Sequence, residues 1–160
     1  MNKLTHVDDA GKARMVDVGD KQTTRRRAVA EGRVRFSSQA FQQLRDNRLS
    51  KGDALNVARV AGIQAAKRTG EWIPLCHVIP LDQVTVDIAL NEEEHSAIVT
   101  ASAAAHWTTG VEMEALVAAS AACLALYDMA KSVDRAITIG SIRLLEKEGG
   151  RSGSWKRPAD

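Results

Sequence analysis

From Ala115 to Tyr127 the chain carries no charge, and the longer stretch Thr109–Lys131 reads TGVEMEALVAASAACLALYDMAK. Small and large apolar residues are mixed there without a polar face, which predicts a helix buried on every side. Ala-rich surfaces let a second helix approach closely, because little side chain holds the axes apart. The polar groups sit only at the ends: Glu112 and Glu114 at the start, Asp128 and Lys131 at the finish.

Elsewhere the pattern has period two. Between Thr24 and Phe36, residues Ala28, Ala30, Gly32, Val34 and Phe36 fall on one face, and Arg27, Glu31, Arg33 and Arg35 on the other. That alternation predicts a half-buried strand. Gln83–Leu90 alternates in the same way, Asn91–Ser96 reads as a turn, and Ala97–Ala105 as the returning strand. A last strand is expected over Thr138–Leu145. Ser37 and Ser38 offer N-caps for a short helix carrying Phe41 and Leu44, and Asp53 caps a longer one, Ala54–Arg68. Pro74 and Pro80 mark Trp72–Leu81 as a loop.

Strand, helix, strand, strand, helix, strand predicts an α+β, ferredoxin-like βαββαβ domain over residues 21–148, with one extra short helix. Residues 1–20 read as a mobile arm in which Met15–Val18 forms an edge strand, and the glycine-rich, cationic tail 149–160 as flexible. The sheet's face away from the helices is expected to be apolar and covered by another subunit.

The 160 residues suit one domain, and the net charge of +2 lacks the basic run that nucleic acid would require. No membrane span or signal peptide is expected, since the longest apolar run contains Ser120 and ends in charges. Cys76 and Cys123 are too few for a disulfide framework, and a cytoplasmic protein fits.

Asp128 and Lys131 lie three apart and share a helical face. They form either a weak surface pair or, beside an apolar wall, a general acid/base. Glu112 and Glu114 suit the positive end of a helix dipole as well as a pocket. Lys51 stands on a Lys-Gly-Asp helix entry, a setting that favours anions. Cys76 and His77 are adjacent on an extended loop, so their side chains diverge and do not form a nucleophilic pair. The four histidines show no metal-ligand spacing. Gly149-Gly150-Arg151-Ser152-Gly153 has the composition of a phosphate loop without a strand–loop–helix context.

Taken together, LTHVDDAG at 4–11, MVDV at 15–18, KQTTRR at 21–26, KGD at 51–53 and AGIQAAKRT at 61–69 form the first half of a pattern. IPLCH at 73–77, TGVEMEAL at 109–116, YDMAK at 127–131 and RLLEKEGGRSG at 143–153 complete it. In this order the motifs resemble those of the cyclic pyranopterin monophosphate synthases of molybdenum cofactor biosynthesis, over nearly the whole chain. The resemblance implies conversion of 3′,8-cyclo-7,8-dihydro-GTP, supplied by a radical SAM GTP cyclase, to cyclic pyranopterin monophosphate and pyrophosphate. It implies no required cofactor, with Mg²⁺ possible alongside the triphosphate, and a homohexamer built as a trimer of dimers with sites at a dimer interface.

It also implies Asp128, Lys131, Lys51 and His77 as catalytic residues. Substrate would be bound by Leu75, Cys76, His77, Glu112, Met113, Glu114, Lys147, Arg26 and Lys21. Three positions depart from the family's usual residues: Val78 replaces a proline, Ala130 replaces a cysteine, and Ala104–Trp107 replaces a more basic run in which His106 is the available substitute. A ligand-binding oligomer without turnover, or a hydrolase using Asp128 and His77, are the alternatives.

One geometric conflict remains. Glu112 and Asp128 are sixteen residues apart, about 24 Å along a straight helix. No small nucleotide spans that distance. The expected resolution is an antiparallel pairing of two copies of the helix through its Ala-rich middle.

Overall fold

The computed structural model describes residues 6–8 and 10–159. Its elements, in chain order, are β1 (Thr24–Arg35), α1 (Ser38–Arg45), α2 (Ala54–Ala66), α3 (Thr69–Trp72) and β2 (Gln83–Asn91). There follow β3 (Ser96–Trp107), α4 (Glu112–Ala130), β4 (Thr138–Glu148) and β5 (Trp155–Lys156). The strands form one antiparallel sheet in the order β2-β3-β1-β4-β5. This α+β order is consistent with a ferredoxin-like arrangement, extended by one short strand.

The period-two stretches became strands for the expected reason. Ala28, Ala30, Val34, Ala97, Val99 and Ala101 are all buried on the helix side of the sheet. Caps formed where short polar side chains precede the helices. The Ser37 side chain accepts from Ala40 N at 3.3 Å, and Asp53 accepts from Asn56 N at 3.0 Å. Helix α2 stops at Ala66, two residues early, and a single turn, α3, follows it.

Helix α4 lies across the sheet beside α2, with Ala115, Ala118, Ala119, Ala122, Cys123 and Leu126 fully buried. Two glycines permit this depth. A Cβ at Gly62 on α2 would meet Ala118 O at 2.8 Å and Val86 Cγ2 at 2.9 Å. One at Gly32 on β1 would meet Cys123 Sγ at 2.7 Å and Ile142 Cδ1 at 2.6 Å. Backbone therefore touches backbone or short side chains, and the sheet, α2 and α4 close without a gap. It is the described helix long and apolar enough to cross a membrane, and most of it is buried.

Four expectations are corrected. The Ala-rich middle of α4 does not face a second copy of itself, because α2 and the sheet of its own chain already cover it. The far face of the sheet is polar: Arg27 pairs with Glu146 at 2.5 Å, Arg143 with Glu31 at 2.7 Å, and Arg33 with Glu94. Thr85 and Ser102 hydroxyls bond there at 2.7 Å. A face satisfied in this way needs no apolar cover. Met15–Val18 forms no strand; Val7 instead bridges Ala13. Residues Leu4, Thr5 and Asp9 of the first motif lie outside the described residues. Finally, the tail contributes β5, in which Trp155 and Lys156 pair with Lys147 and Glu146.

Gly62→Val should force α2 off α4 and cost about 1–3 kcal/mol, as overpacking does. Gln64→Ala, on the exposed side of the same helix, should stay within about 0.5 kcal/mol of the parent. Urea unfolding midpoints measure both; equal midpoints would mean that α2 and α4 are not in close contact.

Candidate active site

The C-terminal end of α4 carries three charges locked together. Lys51 Nζ donates to Asp128 Oδ2 at 2.6 Å and to the Asp128 carbonyl at 2.9 Å. Lys131 Nζ reaches the other carboxylate oxygen, Oδ1, at 2.7 Å. The i,i+3 spacing supplies one partner. The turn at Gly52, with φ +94°, together with the Asp53 cap, presents the other from a separate element. Bonds from Lys131 first and then Lys51 hold the Asp128 carboxyl down at about 2. Asp128 in turn raises the Lys131 ammonium pKa. All three side chains are about half exposed, so their value to folding is small. Asp128 is an anion throughout the physiological range, and the proton-carrying groups in contact with it are ammoniums.

The N-terminal end of α4 is different. A cavity of about 420 Å³ is lined by Leu75, Cys76, His77, Glu112, Met113, Glu114 and Lys21. Glu114 is only 3% exposed. Burial pushes its pKa up to about 7, against a lowering bond from its own N–H, with the Glu112 charge adding to the rise. The same burial, and then the charge of Glu114, raises the Cys76 thiol, which therefore remains protonated and lines the wall as an apolar group. His77 Nε2 lies 2.8 Å from the carbonyl of Val16. A carbonyl only accepts, so Nε2 is the donor in this contact. Gly110 explains the start of TGVE: a Cβ there would collide with the Glu112 carboxylate, which folds back over it.

A second cavity, of about 760 Å³, adjoins the first and shares Lys21, Thr109, Gly110 and Glu112 with it. Arg26, Lys147 and the turn 149–152 form its far side. Arg26 donates through Nε to Trp107 O and through Nη2 to Thr108 O, each at 3.2 Å. Lys147 Nζ donates to Ser152 Oγ.

The residues singled out in the sequence thus fall into two groups. Leu75, Cys76, His77, Glu112, Met113, Glu114, Lys21, Arg26 and Lys147 surround the joined cavities. Lys51, Asp128 and Lys131 stand at the other end of an unbroken helix, about 24 Å away at 1.5 Å per residue. His77 is not beside Asp128 in one chain. His106 lines neither cavity and is tied to Asp82, ring to carboxylate at 3.1 Å. Among the described residues no three His, Cys, Asp or Glu side chains converge on a metal position.

Sequence reasoning missed Val16 and Val18, which the arm lays along the first cavity. The part Val16 plays is that of a backbone carbonyl, which leaves no mark in residue type. The glycine turn at 149–150 did leave a compositional signal, but without the helix that usually accompanies it.

Comparison with known proteins agrees with this arrangement of motifs. The model of the MoaC family matches residues 15–150. The cyclic pyranopterin monophosphate synthase of Thermomicrobium roseum is 54% identical over 160 residues, covering 100% of this chain and 96% of that protein. Its counterpart in Chloroflexus aurantiacus is 52% identical over 157 residues, covering 98% and 96%. That of Brucella ovis is 53% identical over 153 residues, covering 96% and 93%. With near-complete coverage at this identity, and a family model spanning the β1-to-β4 domain, the chain belongs to the MoaC family.

Proposed function

We propose that the protein converts 3′,8-cyclo-7,8-dihydro-GTP to cyclic pyranopterin monophosphate with release of pyrophosphate, as a cyclic pyranopterin monophosphate synthase in molybdenum cofactor biosynthesis. The observation that carries this reading is the Lys51–Asp128–Lys131 cluster, in which one carboxylate accepts from two lysines, at 2.6 Å and 2.7 Å. Rearranging a purine into a pterin needs repeated proton transfer at one locus. Closing a cyclic phosphate while pyrophosphate leaves needs cations around the developing charge. The cluster is suited to the first need, and Lys21, Arg26 and Lys147 to the second.

Each end of α4 holds half of such a site, so the active assembly has two chains at every site. The Asp128 end of one subunit meets the Glu114 end of another, in a homohexamer arranged as a trimer of dimers. The contact uses the outer stripe of α4, where Leu124 is 52% exposed, together with Val57 and Val60 of α2 at 44% and 59%. His77 and Glu114 then face the ring from one chain, and Asp128 and Lys131 from the other. No redox cofactor takes part; Mg²⁺ enters, if at all, with the triphosphate. The enzyme works in the cytoplasm on a substrate made by a radical SAM GTP cyclase.

Incubated with the cyclised GTP, the purified protein should yield cyclic pyranopterin monophosphate and pyrophosphate in equal amounts. Binding without turnover would make it a ligand-binding oligomer instead. Asp128→Asn keeps the shape and loses the charge, and should lower kcat by about 10²–10⁴-fold with an unchanged melting temperature. Near-parental turnover would remove Asp128 from the chemistry.

Glu114 gives a pH signature. Its folded pKa lies above that of an ordinary carboxyl, so the folded state keeps a proton that the unfolded chain has already lost. Stability linked to it is present in acid, declines as pH rises from the usual carboxyl range to about 7, and is flat above. Glu114→Gln should flatten that limb in urea denaturation measured at successive pH values. An unchanged limb would mean that Glu114 ionises normally.

A further inference from the structure

The chain that leaves α4, Lys131-Ser132-Val133-Asp134-Arg135-Ala136, has no glycine or proline to stop the helix. Hydrogen bonds stop it instead. The Ala130 carbonyl accepts from Val133 N at 2.9 Å and from Asp134 N at 3.2 Å. The Tyr127 hydroxyl donates to the Arg135 carbonyl at 3.3 Å. The Asp134 carboxylate then works in two directions. Its Oδ1 accepts from Ala136 N at 2.8 Å within the loop, and its Oδ2 accepts from Ser37 N at 2.9 Å on another element. The bond from the Ser37 N–H, followed by that from Ala136, lowers the pKa of the carboxyl and keeps it ionised.

Ser37 is the N-cap of α1, and its own hydroxyl already accepts from Ala40 N. The N–H of an N-cap residue is commonly taken by a Glu or Gln three residues into the helix. Here that position is Ala40, and a carboxylate 97 residues further along takes the bond. A glutamate at position 40 would serve the start of α1 as well. What the distant carboxylate adds is a tie between two segments. From Ser37, α1 and the turns after it form one bonded unit that runs on to Lys51. Asp46 N, Asn47 N and Arg48 N donate to the carbonyls of Gln42, Leu44 and Gln43, and Gly52 N to that of Leu49. Phe41, Leu44 and Leu49 are buried beneath it. Lys131 lies three residues before Asp134 in the other segment.

We propose that Asp134 is a positioning residue for the Lys51–Asp128–Lys131 cluster, clamping the segment that carries Lys131 to the α1 unit that carries Lys51. With the clamp closed, two ammoniums from separate elements reach opposite oxygens of one carboxylate. With it open, each lysine relaxes toward solvent on its own segment. The catalytic consequence rests on the role given to this cluster under the proposed function; the clamp itself does not.

The φ of Ser37, −64°, is one that proline adopts. Ser37→Pro therefore deletes the N–H that Asp134 holds, while Ser37→Ala loses the same capping hydroxyl and keeps that N–H. In the full-length assembled protein, kcat on the cyclised GTP should be about tenfold lower in Ser37→Pro than in Ser37→Ala. Asp134→Asn should lose as much against the parent, and Asp87→Asn, on the exposed edge strand β2, nothing. In a Lys51→Ala background the Ser37→Pro loss should shrink to about twofold or less, because the lysine being positioned is gone. A merely structural bond would give the same loss in both backgrounds. The second readout needs no turnover: with lysines labelled with carbon-13 at Cε, the raised Lys131 pKa should fall toward that of an ordinary lysine in Asp134→Asn and stay in Asp87→Asn. If Ser37→Pro does not fold, Asp134→Asn carries both comparisons. Parental kcat in folded variants, equal losses with and without Lys51, or an unmoved Lys131 titration would overturn the clamp. A parent that leaves the cyclised GTP unchanged, yet whose Lys131 titration moves in Asp134→Asn, keeps the clamp and removes the reaction. Normal turnover with that titration unmoved does the reverse.

Discussion

The polar sites of this protein are arranged around a constraint that is itself apolar: α4 can settle against α2 and the sheet only because nothing larger than a glycine hydrogen opposes it at Gly62 and Gly32, while its outer stripe around Leu124 stays exposed. Close packing of that kind fixes a helix against rotation and translation, since interiors of native density have no slack. The consequence is a rod with two immobile ends. One end presents Asp128 between two lysines; the other presents Glu114 to a cavity that also takes in His77, Leu75 and Met113. The spacing between them is set by the helix rise and not by any loop that could adjust.

The two ends have opposite electrostatic character. Asp128, bonded by Lys131 and Lys51, is held near 2, whereas Glu114, buried, is raised to about 7. Two carboxylates whose environments push their pKa values apart are suited to opposite tasks, one staying ionised and the other able to give or take a proton near neutrality. On the proposed reading, a reaction needing several proton transfers uses both characters, which α4 holds about 24 Å apart within one chain.

Much of this was legible in the sequence, and the reasons are specific. Strands β1 and β2 followed from alternation, β3 from the turn before it, and α4 from an uncharged run ending in charges. Cap residues Ser37 and Asp53 marked helix starts. The far sheet face was misjudged because alternation says which residues point outward, not that Arg27, Glu31 and Arg33 would find Glu146, Arg143 and Glu94 across strands. The Ala-rich middle of α4 was assigned to a second subunit because small residues signal close packing without naming the partner, and Gly62 supplied that partner within the chain. Lys51 meeting Asp128 was equally invisible, since it joins residues 77 positions apart. Motif order, by contrast, placed nearly all of the site residues on one cavity system or one charged cluster.

On the proposed reading the two ends of α4 belong to one site drawn from two chains. Unfolding Glu112→Ala and Asp128→Ala proteins together and reassembling them tests it most directly. Each variant alone lacks one half of every site. In a mixed dimer one site would carry both defects and the other none, so random pairing should restore roughly a quarter of parental sites. Recovery of turnover near that level is the predicted result. A mixture that exchanges subunits, as mass-labelled chains would register, yet stays inactive would contradict the account and place the whole site within a single chain.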